Sequence, residues 1–216
     1  MKIHTILFDL DGTLTDSGEG IMNAVRYTLE RYEKEATEEE LRSFIGPPLQ
    51  TQFEQFLKVS EEEGKRAVSI YREYYTKRGI YENKVYPGIP DVLKQLKQAG
   101  FRLCIATSKP EKFAVQIAEH FNFAQYFDRI GGALMDGNRT KKREVIEYVL
   151  TEKQIGDQRE GILMVGDRKH DICGAKQTGL RSMGVLYGYG SQEELETAGA
   201  DWIVETPEDI WSILKE

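Results

Sequence analysis

The run Ile3 to Phe8 is short, apolar and β-rich, and it stops on Asp9, Leu10, Asp11, Gly12 and Thr13. A strand of this kind is buried in a sheet. Residues two apart in an extended chain point to the same side, so Asp9 and Asp11 leave the strand's C-terminal end together. Two neighbouring carboxylates are costly without a cation. Gly12 lets the backbone turn and approach a ligand closely, and Thr13 adds a hydroxyl and an amide. The same residues also describe a strand ending in an Asx-rich turn.

The rest of the chain favours a site over a turn. From Tyr86 onward helix and strand patterns alternate. Pro87-Gly88-Ile89-Pro90 opens a helix that turns Leu93 and Leu96 inward and stops at Gly100, and Phe101 to Ala106 is the next apolar strand. It ends at Thr107-Ser108-Lys109-Pro110, before a helix from Glu111 to Phe121 and a short strand around Phe127 to Ile130. The polar loop Met135 to Arg139 leads into a helix through Leu150, then a strand Gly161 to Val165 that ends on Gly166, Asp167 and Asp171. A helix to about Thr178, strands at Arg181 to Leu186 and Trp202 to Val204, and a helix Pro207 to Leu214 complete the pattern. Such alternation indicates an α/β fold with a parallel, Rossmann-like sheet and helices on both faces. Ligands of open α/β sheets bind beyond the carboxyl ends of the strands, where these polar clusters converge.

Between Asp16 and Asn83 the pattern is helical throughout. Ile21, Val25 and Leu29 stand at helical spacing, Thr37 with Glu40 and Ser60 with Glu63 form capping-box patterns, and Leu49, Phe53, Phe56 and Leu57 mark another helix. The expected division is a core of residues 1–15 and 84–216 with an inserted helical domain of residues 16–83. The aromatic positions of the insertion read as core packing, and its Glu runs as solvated helix starts.

A formal net charge of -7 without a basic stripe excludes a phosphate-backbone binder of the nucleic-acid kind. No stretch approaches the ~20 apolar residues of a membrane span, and no charged-then-apolar leader precedes Asp9, which points to the cytoplasm. Cys104 and Cys173 both stand in core-like patterns and read as free buried thiols of a reducing compartment.

Across essentially its whole length the chain resembles the haloacid dehalogenase superfamily, in particular its phosphoglycolate phosphatase-like phosphatases. The resemblance rests on four motifs in order: Asp9-Leu10-Asp11-Gly12-Thr13, Thr107 after Leu103-Cys104-Ile105-Ala106, a lysine at the start of a core helix, and Gly166-Asp167 with Asp171. It implies that Asp9 is a nucleophile forming an aspartyl phosphate and Asp11 the acid and base. It further implies Mg2+ held by Asp9, the Asp11 carbonyl and Asp167. Thr107 would donate to the phosphoryl group, with the amides of Leu10, Asp11 and Ser108 as further donors.

Lys142 is taken as the motif lysine over Lys141 because Lys142-Arg143-Glu144-Val145-Ile146 has the subfamily's Lys-x-x-Val-Ile spacing. Asp171 would orient metal waters or Lys142, or serve only as a helix N-terminal charge. The insertion is similar to the family's cap, with Gly46 and Pro47 as the residues expected at the substrate. The implied substrate is a small phosphorylated metabolite, phosphoglycolate first, with nucleoside monophosphates and sugar phosphates open. A sugar phosphomutase and a non-catalytic phosphate-metabolite binder are the competing readings, and a monomer and a homodimer fit alike. Asp11 disfavours a dehalogenase.

Overall fold

The computed structural model describes residues 2–215. The chain runs from β1 (Thr5–Phe8) through β2 (Thr15–Asp16) into α1 (Gly18–Arg31), α2 (Glu38–Arg42), α3 (Leu49–Leu57) and α4 (Glu61–Tyr74). A π-helical turn over Tyr75–Gly79 prolongs α4, and the chain returns through β3 (Lys84–Val85). Then come α5 (Ile89–Gln98), β4 (Arg102–Pro110), α6 (Glu111–His120), β5 (Arg129–Ala133), α7 (Lys142–Glu152), β6 (Ile162–Gly166) and α8 (Lys169–Gln177). The chain ends with β7 (Arg181–Val185), α9 (Gln192–Ala198), β8 (Trp202–Val204) and α10 (Pro207–Leu214). It divides into two compact units, Met1–Thr15 with Val85–Glu216, and Asp16–Lys84.

In the first unit six strands form one sheet in the order β5-β4-β1-β6-β7-β8, every neighbouring pair parallel. β1 is buried at every position, so both faces of the sheet are covered. Alternation divides its side chains. Leu7 joins Cys104, Ala106 and Met164 in a cluster with Val145, Ile146 and Val149 of α7 and Ala175 of α8. Ile6 and Phe8 point to the opposite face, where the Phe8 and Phe127 rings meet edge to face at 6.2 Å. The sequence order of the strands reverses at β1, which sits between β4 and β6, and ligand crevices of open α/β sheets form at such a point.

The second unit is built on aromatic packing. Phe44 lies 5.0 Å from Phe53, Phe53 lies 6.4 Å from Tyr71, and Tyr71 stacks on Tyr75 at 5.2 Å. Local chemistry sets its helix starts. Thr37 and Glu40 cap α2 reciprocally, and the Ser60 hydroxyl accepts from the Glu63 N–H at the start of α4. α1 packs so closely on the π-helical turn that a Cβ on Gly20 would fall 1.9 Å from the Gly79 carbonyl oxygen.

Three local expectations change. β5 starts only at Arg129, opposite Cys104, and β4 continues to Pro110, which pairs with Ala133 after a register shift beyond Ala106. α9 has no clear apolar period, only Leu195 being buried, so it escapes a periodicity reading. Cys173 is exposed on α8 while Cys104 is buried, and both are free thiols. Among the described residues no helix is long and apolar enough to cross a membrane.

Candidate active site

The register of the sheet gathers the motif residues at one edge. Phe8 lies opposite both Ile105 and Val165, so Asp9, Thr107 and Asp167 all emerge just beyond paired positions. The Asp9 N–H donates to the Val165 carbonyl at 2.9 Å, which continues the ladder one residue past β1.

Lys142 enters from the start of α7 and is 6% exposed, whereas Lys141, one residue earlier, is exposed at the N-cap. The Lys142 ammonium lies 2.8 Å from Asp9 and 2.8 Å from Asp171, and donates to the Ala106 carbonyl at 3.0 Å. Gly174 permits this path, since a Cβ there would stand 2.7 Å from the Lys142 Cγ. The second Asp171 oxygen accepts the Arg168 N–H at 3.1 Å. Asp171 therefore caps α8 and holds Lys142 at once, joining the two readings of its sequence position.

Burial pushes the Asp9 carboxyl up to about 6, with Lys142 pulling it down and Asp171 and Asp11 pushing it further up. Burial also works against the Lys142 charge, but Asp171 and Asp9 outweigh it and hold the ammonium above the ordinary lysine value. Asp167 is held well above the usual carboxylate range by burial first and by Asp171 and Asp9 next.

The structure adds a residue that the sequence did not single out. Lys109 is buried and its ammonium donates to both Asp11 oxygens, at 2.8 and 2.7 Å, while its N–H donates to the Thr107 hydroxyl at 3.2 Å. A signal was present: along extended chain Thr107 and Lys109 are two apart and share a side. That Lys109 would meet Asp11 could not be read from a separation of 98 residues.

Asp167 is fully buried. One of its oxygens accepts from the Thr13 hydroxyl at 3.2 Å and the other from the Tyr189 N–H at 2.8 Å. Gly12 has φ +81°, and a Cβ on it would reach within 2.2 Å of the Asp167 carboxylate, so this turn admits only glycine. Leu10 is buried, and its carbonyl accepts the N–H groups of Leu14 and Thr15, closing the turn. Ser108 is half-buried on β4. Gly46 and Pro47 belong to the other unit, in the loop between α2 and α3, with Gly46 exposed at φ +103°.

Carboxylate oxygens of Asp9, Asp167 and Asp171 lie within 4.8 Å of one another. Among the described residues one ammonium, that of Lys142, is paired with this cluster, an excess of two carboxylates in formal charge. An all-oxygen donor set with that excess fits a hard divalent cation such as Mg2+. Asp171 is already committed to Lys142 and the α8 cap, so Asp9 and Asp167 are the side chains left to hold one.

The chain is similar to proteins named as a nucleotidase or phosphatases, and also to a Mycobacterium tuberculosis protein named tyrosine-protein kinase, at 39% identity over 88% of this chain and 65% of that one. It is 44% identical over 196 residues to a Pseudomonas aeruginosa protein named 5'-nucleotidase, covering 90% of this chain and 88% of that one. It is 31% identical to a phosphoglycolate phosphatase of Aquifex aeolicus, over 98% of this chain and 97% of the relative. The crystal structure of a predicted phosphatase from Clostridium acetobutylicum superposes with a TM-score of 0.95 at 43% identity, each chain covered in full. The profile of the haloacid dehalogenase-like hydrolases matches residues 6–185. With the motif residues assembled on one sheet edge and this extent of likeness, the chain belongs to the haloacid dehalogenase-like hydrolase family.

Proposed function

We propose that this hydrolase is a Mg2+-dependent phosphatase of small phosphomonoesters that works through an aspartyl phosphate on Asp9. The observation that carries the reading is the buried Lys142 ammonium, 2.8 Å from Asp9 and 2.8 Å from Asp171. It keeps Asp9 ionised and aimed, and offers positive charge to the phosphoryl oxygens as they approach.

In the first step an Asp9 oxygen attacks phosphorus, the bond from phosphorus to the leaving oxygen breaks, and Asp11 gives that oxygen its proton. In the second, water attacks the phosphorus of the acyl phosphate while Asp11 takes a proton from it, and inorganic phosphate leaves with Asp9 restored as carboxylate. Lys109 donates to both Asp11 oxygens, which positions the carboxylate form that takes the water proton in the second step, and in the first step one of those oxygens carries the proton in place of that contact. The Thr107 hydroxyl and the amides of Leu10, Asp11 and Ser108 are the proposed donors to the phosphoryl group. When bound by Asp9, Asp167 and the Asp11 carbonyl, Mg2+ would supply the charge neutralisation that lets an anion approach a phosphate dianion.

For the leaving group, the 44% identity to a protein named 5'-nucleotidase sets nucleoside 5'-monophosphates first in order of test, ahead of phosphoglycolate and sugar phosphates. Gly46 and Pro47 are the proposed determinants of that choice, and Pro47→Ala should change the ranking of substrates by kcat/KM. Phosphate release is measured across a panel of these esters with Mg2+, then with EDTA, then with Mg2+ restored. Turnover of at least one ester that EDTA abolishes and Mg2+ rescues is expected. Silence across the panel sinks the reading, and isomerised sugar phosphate without free phosphate would make the chain a mutase.

A further inference from the structure

The loop after β7 reads Tyr187-Gly188-Tyr189-Gly190, and none of the four family motifs includes it. We propose that it is a strap that positions Asp167, governing both carboxylate oxygens of that residue for a divalent cation. The inference rests on the metal reading of the site given above.

One oxygen of Asp167 is held by the strap directly, through the Tyr189 N–H at 2.8 Å. The other is held at one remove. It accepts from the Thr13 hydroxyl at 3.2 Å, and the Thr13 carbonyl in turn accepts the Tyr187 hydroxyl at 3.1 Å. Both glycines let bare backbone lie against the site. A Cβ on Gly188 would come within 2.2 Å of the Gly12 carbonyl oxygen and 2.4 Å of the Asp167 Cβ, and one on Gly190 within 1.9 Å of the Asp167 carbonyl oxygen.

The strap is itself anchored. The Tyr187 ring meets Tyr86 edge to face at 5.0 Å, and the Tyr86 N–H donates to the Leu14 carbonyl at 3.2 Å. Tyr187 thus joins the residues that follow Asp11 to the residue that follows β3. Each carboxylate oxygen offers about two acceptor directions. With one direction used on each, Asp167 is fixed in rotation while keeping a lone pair on either oxygen for a cation. Outer partners of this kind typically change metal affinity by about 10–100-fold when removed.

The test measures Mg2+ binding to the full chain without substrate, by calorimetric titration and by the rise in Tm that Mg2+ produces. Gly188→Ala should weaken Mg2+ binding about tenfold or more. Tyr187→Phe removes only one hydroxyl and should weaken it by a smaller, measurable factor. Hydrogen exchange of the Tyr189 amide should speed up in Asp167→Asn, whose neutral oxygen accepts more weakly. If Gly188→Ala does not fold, Tyr187→Phe and the exchange rate decide. Wild-type Mg2+ affinity in the folded variants, or an unchanged Tyr189 exchange rate, overturns the strap alone. A wild-type chain that takes up no Mg2+ overturns the metal reading and the strap with it.

Discussion

Lys109 meets Asp11 at 2.7 Å, and Lys65 meets Glu61 at the same 2.7 Å. The first pair lies at the sheet edge with side chains 6% and 13% exposed, and the second on the surface of α4 at 62% and 72%. In water the desolvation cost is small and so is the gain, because solvent screens the attraction and the long side chains lose freedom. Inside the protein both quantities grow, and a charge left without its partner becomes expensive. The helical unit keeps the Lys65–Glu61 and Arg66–Glu63 pairs outside and buries the rings of Phe44, Phe53, Tyr71 and Tyr75. The sheet edge buries charged side chains instead, those of Lys109, Lys142, Asp167 and Asp171.

That contrast can be broken or sharpened by substitution. The largest effect expected is that of Asp9→Asn, which removes the proposed nucleophile and should lower kcat by about 10^4-fold or more. It also takes a charge out of an acidic cluster, so Tm should not fall. Appreciable turnover, or a collapse in Tm, would show that Asp9 serves the fold and not the reaction.

Lys142→Met should cost on both counts. Turnover should drop by about 10^2–10^3-fold, as for the loss of one charge-stabilising donor. Stability should fall by about 3–5 kcal/mol because Asp9 and Asp171 lose their shared cation, read from urea unfolding without Mg2+. Full stability in that variant would contradict the charge balance assigned to the site.

In the helical unit Phe53→Ala removes a fully buried ring and should lower stability by about 3 kcal/mol, seen as a shifted urea midpoint. An unchanged midpoint would mean that this unit does not depend on its ring packing. The smallest effect is expected of Lys65→Ala, which should leave Tm unchanged within error. A clear loss of Tm there would erase the distinction between the two ion pairs.

What the sequence determined about this protein lies within short separations. The apolar run before Asp9, the alternation after Tyr86, the Thr37 and Ser60 helix starts and the last helix at Pro207 depend on residues at most a few positions apart. Dihedral preference, capping and period act over that range. α9 and the shifted start of β5 escaped because no such period marks them.

The Lys-x-x-Val-Ile spacing pointed to Lys142 over its neighbour Lys141, but its partners came from the packing of α7 against α8, which sets Lys142 between Asp9 and Asp171 and leaves Lys141 exposed. The partner of Asp11 and the strap on Asp167 were likewise tertiary decisions, spanning 98 residues to Lys109 and 22 to Tyr189. A carboxylate's chemical type is written in the chain, but its neighbours, and so the cost of its charge, come only from the parallel register that brings the ends of β1, β4 and β6 to one edge.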